Sequence, residues 1–263
     1  LGDFDAYLEN IALPQVKEIL AKYPIDILWW DTPTWMNEER IAPFAALLNE
    51  RKDVITNNRL GGGFGGDTKT PEQFVPATGY EGDWETCMTM NNHWGYCAAD
   101  DDWKSSIDLI RKLADICSKG GNFLLNVGPT ADGEFPPPCV ERLEDIGTWL
   151  DVNGEAIYGT TASPFSPLSW GCATRKGTTL YLHVFDWPGD GMLRVPLRSK
   201  VTRASLLSEP EKDLKFEHEE DRVIVHVPKD APDDAATVVV LDLPEEPETV
   251  STFVPITAVT AAS

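Results

Sequence analysis

A change of pattern along the chain constrains the fold more than any other feature of the sequence. Residues 1–160 alternate between amphipathic helical stretches and short apolar runs, with short polar segments between them. Strand followed by helix, repeated with short connections, is typical of a parallel sheet. After Ser163–Pro167 the chain becomes a series of short strands between turn clusters, which is typical of an antiparallel β-sandwich. The sequence therefore predicts an α/β region followed by an all-β domain.

Hydrophobic spacing predicts the individual elements and the domain limits. Helices are predicted at Tyr7–Lys22 (with a kink or break at Pro14), Glu38–Arg51, Trp103–Lys119 and Pro138–Asn153. Strands of the α/β region are predicted at Ile25–Asp31, Val54–Arg59, Asp83–Cys87 and Asn122–Pro129. Strands of the sandwich are predicted at Thr178–Phe185, Met192–Val195, Val201–Leu207, Arg222–Val227 and Ala236–Leu243. The predicted domains are 1–162 (α/β, catalytic) and 163–245 (β-sandwich), with 246–263 as a loosely packed tail.

The charge balance argues against several classes of partner. Asp and Glu number 43 against 22 Lys and Arg, which gives a formal net charge of −21. Such a surface repels phosphate backbones and anionic lipid, so neither a nucleic acid nor a membrane surface is an expected partner. No stretch approaches the ~18 apolar residues that a membrane helix needs. The sequence does not assign a compartment; a secreted, periplasmic or lysosome-like location is compatible with it.

Several chemistries that need specific motifs are not expected. The glycine-rich segment Gly61–Gly66 lacks the lysine and the following helix of a phosphate-binding loop, so it is interpreted as a flexible active-site loop. The four histidines lie far apart in sequence, and the five cysteines include no CxxC pair. Neither a metal site nor a cofactor is predicted. The nine tryptophans fit a sugar-binding protein, because flat indole faces suit sugar rings.

Polar side chains at the ends of the predicted strands indicate acid chemistry. Asp31 ends an apolar strand directly after two tryptophans, so it should be held rigidly against aromatic faces. Such a carboxylate can serve as a nucleophile or charge stabiliser toward an oxocarbenium-like centre, while a second carboxyl group protonates the departing oxygen. Glu72, behind the glycine-rich loop, and Glu85, on a strand beside Trp84, are the candidates for that acid. The residues alone do not separate these two.

A series of segments, in this order, resembles one glycosidase family. They are Asp26–Asp31, Asn57–Arg59, Thr70–Gln73, Asp83–Cys87, Trp94–Tyr96, Ser118–Pro129 and Trp149–Tyr158. Together they look like the retaining α-L-fucosidases, and the resemblance covers roughly residues 5–160. The sandwich resembles this family by architecture only.

The resemblance implies roles for particular residues. Asp31 would be the nucleophile, Trp29 would line the fucose pocket, and Arg59 would contact the sugar. Glu72, which lies thirteen residues before Glu85, is the better positional match for the acid/base. Glu85 is the alternative acid/base or supports the site from behind. The candidate sugar contacts also include Trp84 and Trp94.

The resemblance implies an exo-glycosidase that removes terminal α-L-fucose from fucosylated oligosaccharides or glycoconjugates by double displacement. Family members have a complete (β/α)8-like barrel, whereas this chain contains the pattern of its C-terminal half followed by the sandwich. A half-barrel leaves open sheet edges, so the missing N-terminal half, from the same precursor or another chain, is an expected partner. Two alternatives stay open: a glycosidase for a related deoxy or galactose-like sugar, and a catalytically inactive carbohydrate-binding remnant.

Overall fold

The structure is a computed structural model that describes residues 2–31 and 33–250. Packing divides the chain into two compact units. The first contains residues up to Glu72 together with Tyr80–Cys87, and the second contains Gln73–Gly79 and the residues from Met88 onward. This division falls inside the predicted catalytic region, and the predicted domain limits after residues 162 and 245 stay predictions. Residues 251–263 of the predicted tail lie outside the described residues.

The first unit begins with a helical run that changes type along its length. Helix α1 (Phe4–Tyr7) continues through a π-helical turn (Leu8–Ala12) into α2 (Leu13–Lys22). Pro14 lies in the first turn of α2. Because proline has no N–H to donate to the preceding turn, the regular α-helical ladder is interrupted there. The predicted kink or break at Pro14 thus takes the form of a wider turn just before it.

The strands of the first unit are short and pair in parallel. Strand β1 (Ile27–Leu28) pairs with β2 (Ile55–Thr56), and β3 (Thr68–Lys69) pairs with the first residues of β4 (Asp83–Thr89). Between β1 and β2 lies α3 (Glu38–Asn49), which begins where the Asn37 side chain accepts from the N–H of Arg40 at 2.9 Å. The parallel pairing agrees with the α/β prediction. The described residues do not close a barrel.

The second unit combines helices with two antiparallel sheets. It contains α4 (Ser106–Ser118), β5 (Asn122–Asn126) and α5 (Pro137–Asn153), followed by a short 3-10 helix (Gly154–Ala156) and then by strands. No helix in the described part of the chain is long and apolar enough to cross a bilayer. The later strands are β6 (Gly171–Lys176), β7 (Thr179–Val184), β8 (Met192–Val195), β9 (Arg203–Leu206), β10 (Glu209–Asp213), β11 (Phe216–His218), β12 (Val223–His226) and β13 (Thr237–Asp242).

These strands form a five-stranded sheet, ordered β10-β9-β13-β7-β6, and a three-stranded sheet, ordered β11-β12-β8. Every pairing in them is antiparallel, as the sandwich prediction requires. The five predicted strands are present, whereas β6, β10 and β11 were not predicted. Strand β10 is exposed along its whole length and carries the charged sequence Glu209–Asp213, so it has no hydrophobic alternation to reveal it.

The five-stranded sheet buries both of its faces. On β7, Leu180 and Leu182 point into a core shared with the three-stranded sheet. Tyr181, between them, belongs to a second core that includes Ala114 of α4 and Trp149 of α5. Successive side chains of a strand point to opposite faces, so a strand covered on both sides is apolar throughout. Helices α4 and α5 therefore pack on the sheet within the second unit.

Candidate active site

The side chain of Asn57 joins the ends of β1 and β2. Its amide oxygen accepts from the backbone N–H of Trp30 at 3.0 Å, and its amide nitrogen donates to the Trp30 carbonyl at 2.9 Å. The same oxygen accepts from the backbone N–H of Arg59 at 3.3 Å. Asn57 is completely buried, so these bonds are shielded from water. Asp31 and Arg59 are thereby brought to the same end of two parallel strands.

The two tryptophans before Asp31 point in different directions, as the alternation of an extended chain requires. Trp30 packs edge-on against Phe44 in the core of the first unit. Trp29 instead lies under the guanidinium of Arg59, whose central carbon is 4.9 Å from the ring centre. Its indole N–H donates to Glu85 Oε1 at 3.1 Å. Trp29, predicted to line a sugar pocket, therefore lies among the predicted site residues.

Arg59 brings two of the predicted carboxylates together. Its Nη1 lies 2.7 Å from Glu72 Oε2 and 3.5 Å from Asp31 Oδ1. The Arg59 side chain is 17% exposed, against 42% for Glu72 and 67% for Asp31. The carboxylates are thus the accessible part of the group. Because both contact one nitrogen atom, their nearest oxygens are separated by at most the sum of those distances, which is compatible with the ~5–5.5 Å of retaining glycosidases.

Strand β4 presents Glu85 to this cluster. A parallel bridge places Cys87 opposite Glu72, and the backbone N–H of Cys87 donates to the Pro71 carbonyl at 3.2 Å. Glu85 and Cys87 lie two positions apart and so share one face of the strand. Trp84 lies on the other face, is completely buried, and meets the edge of Tyr80 at 6.0 Å.

The burial of Trp84 counts against its predicted role as a sugar contact. Its indole has no exposed surface in this structure, because the alternation along β4 turns it away from the face of Glu85. The predicted sugar contact of Trp84 is not part of the mechanism proposed below.

Two further side chains hold Arg59 and were not predicted to be functional. Thr70 Oγ1 accepts from Arg59 Nε at 2.8 Å, and Cys87 Sγ lies 3.3 Å from Nη2. Burial raises the pKa of the Cys87 thiol, and the Arg59 cation opposes that shift. Both residues lie in segments that carry the family resemblance, Thr70–Gln73 and Asp83–Cys87. The period of two along Asp83–Cys87 is the signal that could have placed Cys87 on the face of Glu85.

The glycine-rich loop packs closely on the same region. At Gly66, φ is +61°, and an added Cβ would lie 2.4 Å from the backbone carbonyl of Asn57. Only glycine avoids both the strain and the clash. The loop therefore packs against the residue that joins β1 to β2. Its predicted flexibility stays a prediction.

Trp94 lies in the second unit. Its side chain is 41% exposed, and its carbonyl accepts from the Asn126 side chain at 2.7 Å. The indole is therefore accessible, and its predicted sugar contact stays a prediction. Among the residues that the structure describes, no group of three or more His, Cys, Asp or Glu side chains is placed to hold a metal ion.

Comparison with known proteins agrees with the resemblance. A sequence model of the family described as Alpha-L-fucosidase matches residues 3–155. The alpha-L-fucosidase of Branchiostoma floridae is 34% identical over 219 residues, which is 76% of this chain and 49% of that protein. The chain spans about half the length of the curated relatives that it matches.

Solved structures give the same result. Alpha-L-fucosidase isoenzyme 1 of Paenibacillus thiaminolyticus superposes with a TM-score of 0.85 at 34% identity, covering 93% of this chain and 64% of that one. An alpha-L-fucosidase of Bacteroides thetaiotaomicron has a TM-score of 0.81 at 29% identity, covering 91% and 61%. That structure is described as a trapped covalent intermediate, in complex with 2-fluoro-fucosyl fluoride and with a glutamate-to-glutamine mutation. This chain therefore belongs to the alpha-L-fucosidase family.

Proposed function

We propose that this chain is the catalytic part of a retaining exo-glycosidase that removes terminal α-L-fucose from fucosylated oligosaccharides or glycoconjugates. The observation that carries the proposal is the shared contact of Asp31 and Glu72 with one nitrogen of Arg59. Both carboxylates are accessible, and their nearest oxygens lie no farther apart than the sum of the two contact distances, which supports a nucleophile and an acid/base acting on one glycosidic bond. The covalent intermediate trapped in the Bacteroides relative supports double displacement.

In the first step, Asp31 Oδ attacks the anomeric carbon of fucose and forms a glycosyl ester. Glu72 donates its proton to the leaving oxygen as the glycosidic bond breaks. In the second step, the Glu72 carboxylate takes a proton from water, the water oxygen attacks the anomeric carbon, and Asp31 is released. Arg59 lies beside whichever carboxylate is ionised, which is Asp31 before the first step and Glu72 in the glycosyl ester. Trp29 offers a flat apolar face to the sugar ring.

The contacts favour Glu72 as the acid/base over Glu85. Glu72 lies with Asp31 on Arg59 and is accessible to a leaving group. Glu72 accepts a hydrogen bond from Arg59 in this structure. To act as the acid, it must give up part of that contact and carry a proton when substrate binds. Glu85 accepts from the indole of Trp29 at 3.1 Å. We assign it the task of orienting that ring, and we keep it as the alternative acid/base.

We further propose that an additional barrel segment completes the site. Ile27 on β1 and Ile55 on β2 are 55% and 48% exposed, although parallel strands are normally covered on both faces. Together with the span of about half the relatives' length, this exposure fits the C-terminal half of a (β/α)8-like barrel. The segment, from the same precursor or another chain, would cover these residues and supply further sugar contacts.

Substitution of Asp31 tests the proposed function. In the protein that carries this sequence, Asp31→Ala should lower turnover of a nitrophenyl α-L-fucoside by at least ~10³-fold, because no covalent step remains. Azide should restore part of the rate by entering the vacated space. Asp26→Ala is the matched control, since Asp26 is an exposed carboxylate at the opposite end of the same predicted strand. Proton NMR of the first-formed sugar should show retained α configuration.

The outcomes separate the alternatives. Near-normal turnover of Asp31→Ala, or inversion at the anomeric carbon, would show the mechanism to be wrong. Binding of fucose without any turnover by the parent protein would favour the inactive carbohydrate-binding remnant. Faster turnover of a related deoxy or galactose-like glycoside would reassign the substrate.

A further inference from the structure

The guanidinium of Arg59 is held along one edge by neutral acceptors. An arginine side chain has five N–H donors in a rigid plane. Here Nε donates to Thr70 Oγ1 at 2.8 Å, and Nη2 donates to the Thr70 carbonyl at 3.1 Å and lies 3.3 Å from Cys87 Sγ. The remaining nitrogen, Nη1, contacts Glu72 and Asp31. The edge that faces Thr70 therefore decides where Nη1 points.

The Thr70 hydroxyl itself has a defined orientation. It has a single hydrogen, which it donates to Asn58 Oδ1 at 2.8 Å, and this leaves its lone pairs for Arg59 Nε. The residue is buried at 9% exposure, so water competes little for these bonds. Its β-branched side chain also has few rotamers. Thr70 thus presents a fixed acceptor to Arg59.

We propose that Thr70 is a positioning residue whose hydroxyl and carbonyl fix the rotation of Arg59, so that Nη1 stays between Asp31 and Glu72. The proposal rests on the roles proposed above for the two carboxylates. Without the hydroxyl, the buried Nε–H lacks its acceptor, and the guanidinium turns toward other acceptors. Nη1 then leaves the position in which it contacts both carboxylates.

Two substitutions at Thr70 test this role in the protein that carries this sequence. Thr70→Val keeps the shape but removes the hydroxyl, and Thr70→Ser keeps the hydroxyl. For a nitrophenyl α-L-fucoside we expect Thr70→Val to lower kcat ~10–100-fold with little change in KM, because misplacement of a group by about 1 Å costs this much. Thr70→Ser should restore most of kcat. Equal kcat in the parent protein and in a folded Thr70→Val variant would overturn the proposal.

A second measurement does not depend on fucosidase activity. With ¹⁵N-labelled arginine, the Nε–H signal of Arg59, assigned by its loss in Arg59→Lys, should exchange slowly with solvent because it is bonded to buried Thr70. Thr70→Val should shift this signal and speed its exchange, whereas Thr70→Ser should leave it nearly unchanged. Unchanged exchange in Thr70→Val would show that Thr70 does not hold Arg59.

The two measurements together distinguish the proposals. If the signal responds as expected but the parent protein does not hydrolyse fucosides, the positioning role stands and the proposed function fails. If Thr70→Val does not fold, Asn58→Ala decides, since Asn58 is exposed and truncation of an exposed side chain should change stability little. It removes the acceptor that orients the Thr70 hydroxyl, and should speed Nε–H exchange to a smaller degree. No change in Nε–H exchange in Asn58→Ala would overturn the proposed positioning role of the Thr70 hydroxyl.

Discussion

The buried hydrophobic cluster of the first unit is centred on Ile41, Phe44 and Leu60, whereas the five-stranded sheet of the second unit buries a core on each face. The paired segments of the first unit are correspondingly short, because β1 and β2 pair over two residues each. In the second unit, β7 pairs with β6 and β13 along its full length. Packing against two layers thus supports long, regular strands in the second unit.

In the first unit, two buried polar side chains hold residues of the candidate site. Asn57 and Thr70 are both buried, and their hydrogen bonds orient Trp30 and Arg59. Buried polar networks define geometry but contribute little net stability, because each bond replaces one to water. The comparison teaches that long, regular strands in the second unit accompany cores on both faces of its sheet, whereas the short strands of the first unit are linked by buried side-chain hydrogen bonds.

The largest expected effect concerns the two candidate acids of the first unit. Glu72→Ala should lower hydrolysis of natural fucosyl linkages by ~10²–10⁴-fold, since a poor leaving group needs a proton. Hydrolysis of an activated aryl fucoside should fall much less, and azide should accelerate it. Glu85→Ala should lower kcat/KM for both substrates about equally, because it removes the acceptor of the Trp29 indole and displaces that ring. The measurement is kcat/KM for each variant on both substrates, with and without azide.

If instead Glu85→Ala is the variant that loses mainly the hydrolysis of natural linkages and is rescued by azide, the roles of Glu72 and Glu85 are reversed. The hydrogen bond from Trp29 would then position the acid rather than the ring. Either result identifies which carboxylate of the first unit carries the proton.

The next effect compares packing in the two units. Leu182→Ala, at a position with 0% exposure in the second unit, should lower the free energy of unfolding by ~2–5 kcal/mol. Ile27→Ala, at 55% exposure in the first unit, should change it by less than ~0.5 kcal/mol when residues 1–263 are studied alone. Denaturant titration of both variants measures the contrast.

The same Ile27→Ala substitution in the protein that carries this sequence sharpens the comparison. If an additional barrel segment covers β1, Ile27→Ala should lower the free energy of unfolding about as much as truncation of a core residue does, by ~2–4 kcal/mol. An equally small cost in both contexts would argue that nothing covers this strand. It would count against the proposed barrel segment.

The smallest effect is a pH dependence built into the second unit. His183 is completely buried; its Nε2 lies 3.1 Å from Thr174 Oγ1, and its Nδ1 has no partner among the described residues. Burial lowers its pKa from 6.5 to about 4. Between these values the unfolded chain binds a proton that the folded chain does not, so stability should fall as the pH falls from 6.5 to 4. We expect a contribution of ~1–3 kcal/mol.

The check is the free energy of unfolding of the parent and His183→Gln at several pH values. Carboxylates titrate in the same range, so the difference between the two proteins isolates His183. The difference in free energy of unfolding between the parent and His183→Gln should change steadily from pH 6.5 to 4 and become constant below pH 4. His218→Gln, at an exposed position, is the control for the loss of a histidine elsewhere in the second unit. Parallel curves for the parent and His183→Gln would contradict the prediction.

The sequence alone was sufficient for features that depend on neighbouring residues. Helices α3, α4 and α5 begin and end within a few residues of their predicted limits, because caps such as Asn37 and Ser105 are local signals. A strand was predicted over Ile25–Asp31 from its apolar run, and the structure contains the shorter strand β1 (Ile27–Leu28) within that range. The family resemblance likewise depends on the order of short local segments.

Contacts between distant segments were decided by the tertiary structure. Glu72 and Glu85 could not be separated by their neighbours, but their contacts differ: Glu72 meets Arg59 and Glu85 meets Trp29. The burial of Trp84 and the hold of Thr70 and Cys87 on Arg59 also depend on the pairing of β4 with the preceding loop. The physical reason is that backbone propensity acts over a few residues, whereas a hydrogen bond between distant segments exists only once the strands have paired.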